Sequence, residues 1–99
     1  MTELEKSIYE AVSLIPKGKV STYASIAERI GNRKLARAVG NALHKNPNNN
    51  IIPCHRVVNS KGKLSENYAF GGLMAQRKKL LSEGVCVIDN KVDIDLYLW

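Results

Sequence analysis

Cysteine and histidine stand side by side at Cys54 and His55, inside the apolar run IIPCHRVV at 51–58. A thiol there has four uses: metal ligand, half of a disulfide, core filler or nucleophile. The metal reading has little support, because His44, Cys54, His55 and Cys86 show no zinc-like spacing and no C-x-x-C pair. Two cysteines are also too few for a disulfide scaffold. An inert core thiol suits Cys86, which Val85 and Val87 flank in a strand pattern, so Cys86 is expected in the core. Cys54 reads more as a nucleophile. Pro53 stiffens the backbone before it, and the surrounding positive charge is expected to lower its pKa and favour the thiolate. His55 can serve as its base, directly or through a water, although a satisfied structural histidine is the plain alternative.

The elements that must position this pair follow from periodicity and capping. TELEKSIYEAVSLIPKG opens as a helix with a Thr2–Glu5 capping box and an apolar face of Leu4, Ile8, Ala11, Val12 and Ile15, stopped by Pro16 and Gly18. In KVSTYASIAERIG, Ser21 or Thr22 caps a short helix with Tyr23, Ile26, Ala27 and Ile30 on one side, ended by Gly31. NRKLARAVGNALHKNP gives a second helix capped by Asn32. It buries Leu35, Val39, Ala42 and Leu43, turns Arg33, Lys34, Arg37 and Lys45 outward, and ends at Asn46-Pro47. Two short helices meeting at Gly31-Asn32, the second cationic, have the form of a helix-turn-helix. Beyond Cys54, IIPCHRVVNSKGKL predicts a short extended piece and a turn, a candidate wing. NYAFGG is a loop, and LMAQRKKLLSEG a helix ended by Gly84. VCVIDNKVDIDLYLW alternates as a hairpin around Asp89-Asn90, with Val85, Val87, Val92, Ile94 and Leu96 on its strands. The expected fold is an α+β, winged-helix-like domain with a helix-turn-helix, a short wing and a C-terminal β-hairpin.

Charge narrows the partner. The chain has 99 residues and a net charge of +6. From Lys17 to Lys63 stand ten basic residues against the single acid Glu28, a net +9 that leaves −3 for the rest. A basic middle between mildly acidic ends suits a polyanion, although a solvated basic face explains the count as well. Length and composition, 44% hydrophobic, fit one domain over 1–99. The charged start MTELEKSIYE is unlike a signal peptide, and no apolar run would span a bilayer, so a cytoplasmic location without membrane contact is expected. A DNA reader combined with a thiolate suggests a damaged base. The alkyl carbon on guanine O6 is electrophilic, and reaching it requires flipping the base at a cost of roughly a few kcal/mol.

GKVSTY, ARAVG, NP, IPCHRVV, GGL and EG occur in that order, with a seventeen-residue step from Arg37 to Cys54. From about Leu4 to Gly84 the chain thereby resembles the O6-alkylguanine-DNA alkyltransferases. The resemblance implies direct, single-turnover repair of double-stranded DNA carrying O6-alkylguanine, by a monomer needing no metal or cofactor. Cys54 would be the acceptor, His55 would take its proton through a water, and Glu83 would orient His55. Tyr23 would donate its hydroxyl to the leaving guanine and press on the turned phosphate. Asn46 would tie the recognition helix to the PCHR segment. Arg37 would fill the place the base leaves, on a DNA-contacting face with Thr22, Tyr23, Arg33, Lys34 and Ala38. Tyr23, Cys54, Val57, Tyr68 and Ala69 would line the substrate pocket, and the carbonyls of Cys54 and Val57 would read the guanine amino group. Arg56 would brace structure. The small Ala36, Ala38 and Gly40 would allow the family's minor-groove approach.

Three features differ from the common pattern. The usual alkyltransferase carries an N-terminal domain before this one. The pocket loop SENYAFGGL is about two residues longer, with Ala69 where serine is frequent. The tail looks more like the alkyltransferase-like proteins, which bind alkylguanine without repairing it, recruit excision-repair proteins, and carry tryptophan in place of the cysteine. The sequence therefore leaves two further readings beside alkyl transfer: a lesion sensor, and a winged-helix transcription factor with an inert cysteine.

Overall fold

The computed structural model describes residues 1–66 and 68–99; Asn67, the first residue of the NYAFGG loop, lies outside the described residues. Helix α1 spans Glu3–Ser13 behind the expected capping box, in which Thr2 and Glu5 each satisfy the other's backbone N–H. Strand β1 is Ser21–Thr22 and runs directly into α2, Tyr23–Arg29. A 3-10 turn, Arg33–Leu35, leads into α3, Ala36–His44, with the Asn32 side chain accepting from the Lys34 N–H. A second 3-10 turn, Cys54–Arg56, leads into β2, Val57–Val58. Helix α4 is Gly72–Ser82, β3 is Val87–Ile88, β4 is Lys91–Val92, and α5 is Ile94–Tyr97.

Helices α1, α2 and α3 enclose a core of Ile8, Val12, Ile26, Ala27 and Val39, all fully buried. Tyr9 completes it: its hydroxyl donates to the Ala42 carbonyl at 2.7 Å and fastens α1 to α3. A second cluster, with Val20, Val58, Leu80, Val85 and Val92, fills the space between the strands and α4. The two clusters meet at the short parallel ladder of β1 and β2, where Ser21 pairs with Val57 and Thr22 with Val58. That ladder fixes the start of the helix-turn-helix beside the PCHR turn.

The α+β plan with a helix-turn-helix stands, and several details differ. Leu4 is exposed, and α1 ends at Ser13, so the face shifts towards Tyr9. The segment after Val58 does turn, with the Asn59 N–H donating to the Lys63 carbonyl, but its strand pairs with β1. The outgoing arm meets the C-terminal hairpin at the Lys63–Lys91 bridge, so the wing is shared between segments. The hairpin turns at Asp89 and Asn90, both at positive φ, the requirement of a two-residue primed turn. It stops at Val92, because the Asp93 carboxylate caps α5 by accepting from the Asp95 N–H. Ile94 and Leu96 are therefore helical. Cys86 is exposed, because alternation that turns Val85 and Val87 inward turns the residue between them outward.

Candidate functional site

The PCHR turn is rigid for local reasons. Pro53 sits at φ −77°, ψ 68°, an inverse γ-turn in which the Cys54 N–H donates to the Ile52 carbonyl at 2.7 Å. The Arg56 N–H then donates to the Pro53 carbonyl, closing the 3-10 turn. Asn46, buried at the end of the recognition helix, donates from Nδ2 to the Ile52 carbonyl at 2.8 Å. The expected tie between recognition helix and PCHR segment is thus present as a hydrogen bond.

Cys54 lines an open cavity of about 510 Å³ together with Tyr23, Val57, Tyr68 and Ala69. These five are the residues expected around a flipped base. Gly40 and Asn41 of the recognition helix complete the wall, so Gly40 faces the cavity beside the Tyr23 ring. A volume of this size lies in the ordinary range for small-ligand sites. Burial pushes the Cys54 thiol above its usual value, against the opposing influence of Asn46, Lys79 and Tyr68. The sequence expectation of a lowered thiol pKa is corrected here: desolvation of a nearly buried sulfur outweighs nearby positive charge. Burial likewise raises the Tyr23 phenol.

Behind Cys54, His55 is 6% exposed, and its Nε2 lies 3.1 Å from Glu83 Oε1. The contact is at ion-pair distance, yet off the axis of a good hydrogen bond. Burial holds His55 below its usual pKa, with Glu83 opposing, so the ring is neutral near pH 7. Burial alone would raise Glu83, but Arg56 and then His55 keep its carboxyl below the usual carboxylate value. Arg56 grips Glu83 with both arms of its guanidinium, Nε to Oε1 at 2.9 Å and Nη2 to Oε2 at 2.6 Å. Its Nη1 donates to the Ile15 carbonyl. A second cavity of about 460 Å³ opens on this side, lined by His55, Arg56, Lys79 and Glu83 among others.

Some residues were not legible as part of the site. Gln76 is 1% exposed; its Nε2 donates to the carbonyls of His55 and Val57, and its Oε1 accepts from the Ser65 N–H. It fixes the cavity floor and already engages the Val57 carbonyl assigned to guanine. The available signal was a polar residue in the apolar stripe Leu73, Gln76, Leu80. Lys79 was missed as well; its Nζ donates to the Tyr68 hydroxyl at 3.0 Å.

The DNA-contacting set divides. Lys34 and Arg37 are exposed, and Ala38 is partly so. Arg33 is paired with Glu28. Thr22 is buried, its hydroxyl accepting from the Ser25 N–H to cap α2 and contacting Ser25 Oγ, so it supports Tyr23 from within rather than presenting itself at the surface. Among the described residues no group of three or more His, Cys, Asp or Glu stands together as a metal site, and no helix is long and apolar enough to cross a membrane.

The family described as 6-O-methylguanine DNA methyltransferase, DNA binding domain, matches residues 3–85. The chain belongs to that family. It is 47% identical over 85 residues to a methylated-DNA–protein-cysteine methyltransferase of Methanosarcina acetivorans, a match covering 86% of this chain and 53% of that protein. The chain thus spans about half the length of that relative. It is 38% identical over 105 residues to alkyltransferase-like protein 1 of Schizosaccharomyces pombe, covering all of this chain and 96% of the other. The fold superimposes with a TM-score of 0.90, at 36% identity, on the crystal structure of S. pombe Atl1 in complex with damaged DNA containing O6-carboxymethylguanine, covering 100% of this chain and 96% of that one. The family is one of DNA-repair alkyltransferases, and this chain carries its DNA-binding domain.

Proposed function

We propose that this chain, as a single domain over 1–99, binds double-stranded DNA, flips an O6-alkylguanine into the cavity beside Tyr23 and Tyr68, and transfers the alkyl group to Cys54 once. The observation that carries the reading is Cys54 at the wall of a base-sized cavity with the His55–Glu83–Arg56 chain directly behind it. With Nε2 turned to Glu83, His55 keeps Nδ1, which has no hydrogen-bond partner among the described residues, to take the thiol proton through a water. The sulfur then attacks the alkyl carbon. A C–S bond forms, the C–O6 bond breaks, and its electron pair stays on guanine. Tyr23 supplies a proton to the leaving ring, so guanine leaves neutral; water then carries the proton held by His55 back to the Tyr23 oxygen, and the net change is one proton moved from the thiol to guanine. Recruitment of a thioether back to a thiol is not part of this chemistry, which makes the reaction stoichiometric.

The likeness to the S. pombe alkyltransferase-like protein favours a second reading, a sensor that holds the flipped lesion and flags it to excision-repair proteins without reacting. Cys54→Ala separates them. Incubation of wild type with an O6-methylguanine duplex is expected to restore guanine in the DNA, one per protein molecule, while Cys54→Ala retains lesion binding and restores none. Wild type that binds the lesion and leaves its methyl group in place selects the sensor.

A further inference from the structure

The Cys54 sulfur faces more than the histidine behind it. Across the cavity stands Tyr68, 8% exposed, whose hydroxyl accepts from Lys79 Nζ at 3.0 Å. The ammonium also lies 5.5 Å from the Tyr68 ring centroid and 5.7 Å from that of Phe70, and the two rings pack at 5.9 Å. Three contacts therefore hold a half-buried lysine in one place, against the large rotamer freedom of a free one. The lysine's hydrogen bond uses a lone pair of the Tyr68 oxygen and leaves the phenolic proton free to be donated elsewhere.

We infer that Lys79 is a positioning residue for the nucleophile: it fixes the Tyr68 hydroxyl as a donor towards Cys54 Sγ, forming a second charge-supported line to the sulfur, separate from His55 and Glu83. Two hydrogen bonds in series, the first donated by a cation, polarise one another, and the donor at the end of such a chain binds an anion more strongly than an isolated phenol does. Lys79 and Tyr68 both act to lower the Cys54 thiol against its burial. The other groups around the sulfur are Tyr9 from α1, Tyr23 from α2, His44 from α3 and Asn46 just beyond it, while His55, next along the Cys54 turn, lines the other cavity with Glu83 and Arg56. Beside them, Lys79 brings its ammonium to the cavity wall through its hydrogen bond to Tyr68. The loop bearing Tyr68 is thereby anchored to α4 at the point where its wall meets the alkyl group.

This rests on the reading of Cys54 as the reacting thiol, but its test does not need alkyl transfer. In a Cys86→Ser background, which removes the exposed thiol, the rate of Cys54 labelling by iodoacetamide is followed from pH 6 to pH 10. Lys79→Met and Tyr68→Phe are each expected to move the profile to higher pH and to slow labelling at neutral pH about tenfold, the consequence of one pKa unit. The double variant is expected to show no further shift, because both changes break the same line. Lys79→Arg, which keeps the cation, is expected to restore most of the rate and guards against a loss of folding. An unmoved profile in Lys79→Met, or shifts that add in the double variant, overturns the inference. Failure of wild type to demethylate DNA while these shifts persist would refute alkyl transfer and leave the Lys79 line standing.

Discussion

At the scale of residues, the site depends on one carboxylate held by two partners. Glu83 faces His55 at 3.1 Å while Arg56 clamps both of its oxygens. In the proposed reaction its role is electrical and orientational, so Glu83→Gln is expected to slow alkyl transfer at least tenfold and to change duplex affinity less than twofold, as read by single-turnover kinetics beside fluorescence anisotropy. Equal losses in both would place Glu83 in the DNA-binding scaffold instead. The candidate nucleophile and its histidine were legible because Cys54 and His55 stand side by side in one motif, whereas Tyr23 and Tyr68 joined the pocket through resemblance. Glu83 was legible only through resemblance. Gln76, Lys79 and the clamp by Arg56 were not, since each acts through a contact between segments distant in sequence. The direction of the Cys54 pKa was misread for a related reason: sequence counts charges, but burial, the larger influence here, exists only after folding.

At the scale of elements, the short parallel ladder and the Gly62 turn decide how the pieces meet. Helices announced themselves by caps and period, down to the Thr2–Glu5 box and the Asn32 cap. A two-residue strand whose partner lies 36 positions away, Ser21 against Val57, carries no local signal, so the sequence offered no partner for the extended piece after Cys54, which pairs with β1. The tail alternated well enough to read as a long hairpin, while the Asp93 cap converted its second arm into α5. Gly62 illustrates an element held by one residue. It sits at φ +83°, and a Cβ there would come within 2.1 Å of the Val92 carbonyl oxygen. Gly62→Ala is expected to destabilise the domain by more than the roughly 1–2 kcal/mol of left-handed backbone strain alone, read as a lower midpoint in urea. An unchanged midpoint would show that the strand edge yields without cost.

At the scale of the whole molecule, the basic middle is less free than its count. Glu28 pairs with Arg33, Glu5 with Lys45, and the Trp99 ring stacks under Arg29 at 3.6 Å. Lys34 and Arg37, at the leading end of the recognition helix, are exposed and make no ion pair among the described residues. On the helix-turn-helix itself the cations left for a phosphate backbone thus include Lys34 and Arg37, while Lys17, Lys19, Lys61 and Lys63 of the same basic middle are also exposed and without an ion pair among the described residues. Lys34→Ala is expected to weaken binding to damaged and undamaged duplex alike and to reduce the salt slope by about 1, whereas Arg33→Ala, whose charge Glu28 already offsets, is expected to change it less. A larger loss from Arg33→Ala would show that the Glu28 pair opens on DNA.

In the proposed reaction one sulfur, buried at the edge of a base-sized cavity, accepts carbon from an extrahelical guanine. The direct measurement is the mass of the Cys54 peptide after the protein meets an O6-methylguanine duplex. A single methyl group is expected on Cys54, none on Cys86, and no more than one per chain. An unmodified Cys54 in protein that remains bound to the lesion would contradict it.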